Sequence, residues 1–233
     1  MHLFAMRGAW GPISGWFYET VIGRRVGPLY DRFVAEALPE LPDGSTIIDV
    51  GCGEGQVSSR IAAWLPACQV IGLDLSPAMI ERASARTPPR DNLRFVQGDA
   101  LALPLQDDSV DVAVSVASIK HWPDRLRGVR ELLRVIRPGG TICVLEADRD
   151  CTHAAARRFT EHWLHVLPFD RDLGAVWFRR VVAGQALNLD ELVGVLTRAG
   201  VADLQAERQA DLPFIAARAR KAAPRELSWE PTL

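Results

Sequence analysis

The chain has no run of about 18 apolar residues, the length a bilayer-crossing helix needs, so no membrane span is expected. Its N-terminus lacks the basic, apolar, small-residue order of a secretion signal. Cysteine is scarce: Cys52, Cys68, Cys143 and Cys151 are the four, and no two stand in C-x-x-C spacing. That argues against a disulfide framework or zinc site and fits a reduced cytoplasm. Basic charge is not in excess, with 27 Lys and Arg against 29 Asp and Glu and a net charge of −2, so no nucleic-acid partner is expected. There is no G-x-x-x-x-G-K-[S/T] loop for a nucleoside triphosphate, no internal repeat and no low-complexity tract. His162 and His165 share a helix face by spacing, but no carboxylate pattern accompanies them and no metal is assigned. Oligomeric state stays open.

What is present begins with Asp49-Val50-Gly51-Cys52-Gly53-Glu54-Gly55-Gln56-Val57. Thr46 to Val50 reads as a short buried strand, and the apolar spacing from Val57 to Leu65 reads as a helix. A strand entering a glycine-rich turn and then a helix lets a ligand approach the backbone and meet free N–H groups. The glycines stand at 51, 53 and 55 with Gln56 following, so the dinucleotide fingerprint G-x-G-x-x-G fails at its third glycine. Asp49 beside the turn would repel a pyrophosphate and suits a cationic ligand.

At 233 residues, with 48% hydrophobic content, the chain fits one domain with elaborations. Residues 1–44 read as a helical cap rich in aromatics, interrupted near Gly27-Pro28, either packed on the sheet edge or closing over a pocket, in which case Tyr18 and Tyr30 are the side chains to watch. Residues 45–147 read as an α/β core. Its second strand, 70–74, ends in Asp74, 19 residues after Gly55, where an acidic group accepts from ribose hydroxyls in nucleoside-binding versions of such a fold. Leu75 follows it, and Ser76-Pro77 opens a helix. A third strand spans 93–100, a fourth 109–116, a helix 125–136 and a fifth strand 141–146. Residues 148–187 are dense in His, Arg and aromatics and read either as amphipathic helices with a solvated basic face or as the apolar wall of a substrate chamber with one or two Arg for an anionic group. A late helix stops at Gly200, a hairpin follows over 201–219 with its last strand at 212–218, and 220–233 reads as a tail.

Four segments in order resemble one family: the acidic G-x-G-x-G turn, Gly98-Asp99-Ala100, Leu103-Pro104-Leu105 through Asp108-Ser109-Val110-Asp111-Val112, and Leu133-Arg134-Val135-Ile136-Arg137-Pro138-Gly139-Gly140 before a strand. Over residues 45–147 the chain resembles the class I S-adenosylmethionine-dependent methyltransferases, in particular the broad group containing quinone and sterol methylating enzymes. The resemblance implies a Rossmann-like, doubly wound, seven-stranded mostly parallel sheet with an antiparallel last strand, and a lid insertion over residues 148–187. It implies S-adenosylmethionine as methyl donor and S-adenosylhomocysteine as product. Asp49, Gly51, Cys52 and Gly53 would hold the amino-acid end and positive centre, Asp74 and Leu75 the ribose side, and Asp99, Ala100 and Leu101 the adenine. Ser115 and Tyr18 complete that cofactor set. His121 and Trp122 fall where relatives line the active site. His121 is the candidate base, and Trp122, Tyr30, Trp163 and Trp177 are candidate substrate contacts.

The acceptor is expected to be a small apolar or aromatic molecule methylated at O, N or C. The place after the fourth strand reads Ser115-Val116-Ala117-Ser118, unlike the (D/N/S)-P-P-(Y/F) segment of amino-methylating enzymes on nucleic acid or protein. The Pro-Cys of cytosine C5 enzymes is absent, and the carboxylate set of metal-dependent catechol enzymes is not evident. A protein that binds the donor without methylating is the second reading. An NAD-dependent oxidoreductase is disfavoured by Gln56.

Overall fold

Strand alternation sets the layering. In β1 (Thr46–Val50) Ile47 points to one face of a sheet and Ile48 and Val50 to the other, all fully buried. The computed structural model describes residues 27–38, 40–164 and 171–223, with the side chains of 162–164 and 171 outside that description. Around β1 lie β2 (Gln69–Asp74), β3 (Leu93–Gln97), β4 (Val110–Val116), β5 (Ile136–Ala147), β6 (Val201–Arg208) and β7 (Phe214–Lys221), in the order β3-β2-β1-β4-β5-β7-β6. The pairs β1–β2, β2–β3, β1–β4 and β4–β5 are parallel, and β7 runs antiparallel to both β5 and β6. This is the expected Rossmann-like sheet. The order reverses beside β1, between β2 and β4, which places a switch-point crevice at the carboxyl ends of β1 and β4.

Helices cover both faces. The first face buries α1 (Gly27–Ala37) through Tyr30, Phe33 and Val34, α2 (Gln56–Trp64) through Val57 and Ile61, and α5 (His153–Leu164) through Ala156 and Phe159. The opposite face buries Val129, Leu132 and Val135 of α4 (Arg125–Val135) and Leu192, Val195 and Leu196 of α7 (Leu189–Ala199). These helices form where the sequence supplies both an apolar stripe and a stop. Asp124 caps α4 by accepting from the Arg127 N–H at 2.9 Å, and Asn188 with Glu191 makes a capping box on α7. Gly200, at φ 92°, ends α7. Between β2 and β3 lies α3 (Pro77–Arg86), whose Ser76 makes no side-chain cap bond. The Asp74 carboxylate takes the Ser76 N–H instead, at 2.9 Å.

Several boundaries differ from the sequence reading. β3 ends at Gln97, because Asp99 leaves the ladder for an isolated bridge with Ala102. α4 ends at Val135, since Ile136 already pairs with Val110 and begins β5, whose register then shifts before Thr141 meets Val112. β7 runs to Lys221, with Arg220 opposite Thr141, so the first residues assigned to the tail are sheet. Within residues 148–187 α5 is followed by α6 (Arg171–Trp177), a π turn over Phe178–Val182 and a 3-10 turn over Ala183–Gln185. Phe159, Phe178 and Phe214 meet edge to face, with centroids 4.8 to 6.2 Å apart, and tie this region to the start of β7.

Candidate active site at the strand ends

The glycine turn leaves β1 and is tied at once to β2: the Gly51 and Cys52 N–H groups donate to the Leu73 carbonyl at 2.7 and 3.0 Å. Gly51 has φ 77°, and a Cβ there would lie 1.8 Å from the Ser118 hydroxyl, so glycine is required by both backbone and neighbour. Gly53, at φ 54°, faces open space within 4 Å of its missing Cβ, leaving room for a ligand on that side. Beyond the turn Glu54 is held by Arg82 at 3.2 Å and by Arg86, which anchors the loop to α3.

Two carboxylates frame the turn. Asp74 Oδ2 accepts the Gly53 N–H at 2.9 Å while its other oxygen holds Ser76, so one side chain orders both loops. Asp49 is 1% exposed and accepts the Ser58 hydroxyl at 2.6 Å. Burial pushes its pKa up to about 6; the Ser58 bond opposes this and the Asp74 charge adds to it. A buried carboxylate with a second carboxylate nearby is a site short of positive charge, which a cationic ligand would supply. Burial, with Asp49 and Asp74, also pushes the Cys52 thiol well up, so Cys52 is not a thiolate nucleophile.

The third expected segment lies beside these two. The Asp74 carbonyl accepts the Gly98 N–H at 2.9 Å, bringing Leu75 next to Asp99. The Asp99 carboxylate is exposed and takes the Leu101 N–H at 2.8 Å, Leu101 is half-buried, and Leu75 stands 50% exposed on the turn. Ala100 is buried in the core below them. An exposed leucine beside a carboxylate and a half-buried leucine offers both faces and one polar edge to a flat ring.

At the end of β4 the chain crosses the top of the sheet. Ala117 takes φ 53°, unusual for a residue with a Cβ, and donates its N–H to the Leu145 carbonyl at 2.7 Å. Ile119–His121 form a short 3-10 turn. Lys120 and Glu146 form an ion pair at 2.8 Å, with side chains 6% and 0% exposed. The Glu146 carboxylate also takes the Lys120 N–H at 3.2 Å and the Ala147 N–H at 2.9 Å, and the Lys120 ammonium donates to the Ala117 carbonyl at 2.9 Å. This buried pair, absent from the sequence reading, pins the crossing to the end of β5. Its only sequence signal was a Lys beside the candidate His and a Glu closing an apolar strand. His121 follows it, exposed on one side and walled by protein on the others. Burial on those sides, with the Lys120 charge, pushes its pKa down to about 4, while Glu146 opposes that. The direction makes the imidazole neutral near pH 7, the form that accepts a proton.

Three expectations are corrected here. Trp122 is buried with the core of the opposite face, stacked over Gly128, and its indole N–H donates to the Ser118 hydroxyl at 3.1 Å. It props the crossing, packed in the core rather than standing open at the strand ends. Ser115 is 1% exposed and donates its hydroxyl to the Val50 carbonyl at 3.2 Å, which commits it to joining β4 and β1. Tyr30 is buried in the first-face core beneath the Arg60 guanidinium, 5.9 Å from the ring centroid, because α1 packs on α2. Trp177 stands 36% exposed at the end of α6. Tyr18, His165 and the side chains of His162 and Trp163 lie outside the described residues. Among the described residues no cluster of three metal-ligating side chains occurs, and no helix is long and apolar enough to cross a membrane.

Comparison with known proteins agrees with this geometry. Residues 48–144 match a family model described as a methyltransferase domain. The chain is 44% identical over 109 residues to the 2-methyl-6-phytyl-1,4-hydroquinone methyltransferase of Synechocystis, covering 47% of this chain and 34% of that protein. It thus spans about a third of that relative's length. It is 32% identical over 194 residues to a probable S-adenosylmethionine-dependent methyltransferase of Mycolicibacterium smegmatis, covering 83% of this chain and 70% of that protein. Among solved structures the cyclase SpnF aligns with a TM-score of 0.63 at 22% identity, over 86% of this chain and 83% of that one. That last likeness shows the fold alone. With the strand-end turn, its paired carboxylates and this similarity along most of both chains, the protein belongs to the class I S-adenosylmethionine-dependent methyltransferase family.

Proposed function

We propose that this chain transfers a methyl group from S-adenosylmethionine to an O, N or C nucleophile of a small, apolar aromatic molecule of the quinone type. The observation that carries the donor half is the buried Asp49, starved of positive charge under a glycine turn whose Gly53 side is open. The acceptor class is supported by the Synechocystis relative, whose name specifies a prenylated hydroquinone.

The residues fit the donor. Asp49 neutralises a positive centre, Asp74 accepts from ribose hydroxyls with the lone pairs its backbone bonds leave, and Leu75, Asp99, Ala100 and Leu101 frame a purine. When bound, S-adenosylmethionine supplies a methyl group that leaves its sulfonium by in-line displacement, the bond to the acceptor forming as the sulfur–carbon bond breaks. The chain's part is positioning, worth on the order of 7–11 kcal/mol in well-oriented reactions. Neutral His121, held by the pinned crossing, takes the proton that the acceptor loses.

A second reading keeps donor binding without methylation. The fold-level likeness to a cyclase favours it, since that fold also carries other chemistry. Incubation with labelled donor and a panel of hydroquinones separates the two. Labelled product supports the first reading; calorimetric binding without product across the panel supports the second.

A further inference from the structure

Between the end of β3 at Gln97 and the start of β4 at Val110, residues 98–109 add no strand to the sheet; Asp99 makes an isolated bridge with Ala102. The stretch is nonetheless held at every second residue, and its partner is one side of α4. Arg127 Nε donates to the Leu101 carbonyl at 3.0 Å. The Leu103 N–H donates to the Glu131 carboxylate at 2.9 Å. The two terminal nitrogens of Arg134 donate to the Leu103 and Leu105 carbonyls at 2.9 and 2.8 Å, and one of them also meets the Asp107 carboxylate at 2.7 Å. Arg134 and Glu131 are themselves joined at two points, 2.8 and 3.0 Å. The spacing 127, 131, 134 puts these three on one side of the helix, while Val129, Leu132 and Val135 fill the core. Leu103 is buried, so its N–H and carbonyl need partners inside the protein. Residues 101, 103, 105 and 107 thus present themselves with the period of a strand, and charged side chains of α4 stand where a neighbouring strand would be.

This hold reaches the strand-end crevice. The Leu101 N–H donates to the Asp99 carboxylate at 2.8 Å while the Leu101 carbonyl takes Arg127, so a chain of bonds runs from α4 through one peptide to Asp99. We propose that Arg127, Glu131 and Arg134 are positioning residues for the base end of the donor site: through the Leu101 and Leu103 peptides they fix where the Asp99 carboxylate and the Leu101 side chain meet the purine. The identity of that ligand rests on the proposed function; the hold on 101–107 does not. Because α4 starts at Arg125, directly after the crossing that carries His121, and seats the Trp122 ring over Gly128, the same helix bears on both sides of the crevice.

The test is calorimetry on the full chain with S-adenosylhomocysteine and with S-inosylhomocysteine, which differ at the edge of the base, together with amide hydrogen exchange on the ligand-free chain. Arg127 is exposed, so R127A should keep the parent's circular dichroism. It should weaken the adenosyl ligand by about tenfold and the inosyl ligand far less, so that the preference for adenine collapses. R127K still donates to the Leu101 carbonyl and should keep most of that preference. R134K keeps the charge but loses the fork, and should quicken exchange over 101–107 while the 51–57 turn stays as in the parent. Equal losses on the two ligands in R127A would mean a general loosening, and overturn the proposal. So would a preference that survives in R127A, or exchange over 101–107 that is unchanged in R134K. A parent that binds neither ligand would overturn the proposed function and this role with it, whereas binding in the parent with an undiminished preference in R127A overturns this role alone.

Discussion

The two halves of the strand-end crevice are built by different means. The half at β1, β2 and β3 is held through backbone N–H groups and near neighbours: Gly51 and Cys52 donate to the Leu73 carbonyl, Gly53 and Ser76 to the Asp74 carboxylate, and Leu101 to the Asp99 carboxylate. Its parts lie within a few residues of each strand end. The half at β4 and β5 is made of side chains brought from afar, such as Lys120 with Glu146, Arg208 with Asp148 at 2.8 Å, and Phe159 and Phe178 with Phe214. A site that binds through backbone N–H groups and close approach needs particular residues at particular spacings. A chamber walled by side chains needs only volume and polarity, which many sequences supply.

The halves can be separated experimentally. The largest effect is expected in the acceptor half: His121→Ala should lower turnover by roughly 10²–10⁴-fold with unchanged donor affinity in calorimetry. Unchanged turnover would remove the base role. In the parent, the acid limb of kcat/KM, which reads the free enzyme, should fall near pH 4, below the usual histidine range of about 6.5, because the depressed pKa keeps the ring neutral through mild acid.

Next, Glu146→Gln should cost about 3–5 kcal/mol in urea denaturation, since it strands the Lys120 ammonium in a buried site. A cost below about 1 kcal/mol would mean that water reaches the pair. Gly51→Ala should cost about 1–3 kcal/mol and weaken donor binding, because the new Cβ overlaps the Ser118 side chain. Ser118→Gly in the same chain should return part of that loss, and strict additivity of the two changes would show that the halves are not coupled there.

The smallest effect has the opposite sign. Asp49→Asn should stabilise the ligand-free protein at pH 7 by about 1–3 kcal/mol while abolishing donor binding. The sign follows from the raised pKa. Protonated Asp49 is the favoured buried form, so its contribution is present below the unfolded value of 3.8 and is lost as pH rises through about 6. Thermal denaturation from pH 4 to 8 in parent and variant measures it; equal profiles would mean that Asp49 is solvated.

Much of the fold was legible in the sequence. Continuous apolar runs mark buried parallel strands, and helix stops such as Gly200 and caps such as Asn188 act through adjacent backbone. The boundaries that slipped were those decided by pairing partners. Ile136 is strand because Val110 lies beside it, and Arg220 because Thr141 does. In the site, Asp49, Asp74 and Asp99 could be placed by spacing from strand ends. Trp122, Tyr30 and Ser115 could not, since whether an aromatic ring or a hydroxyl faces a ligand or the core depends on what packs against it. Gly128 opens a seat for the Trp122 ring, and Arg60 covers Tyr30.

By itself, then, the amino-acid sequence determined the sheet and the glycine turn after β1, because their conformations are dictated locally by glycine, strand period and caps. Only the tertiary structure decided how the crossing at the ends of β4 and β5 is held. The Lys120–Glu146 pair is buried because elements remote in sequence exclude water around it, and that exclusion has no local signature.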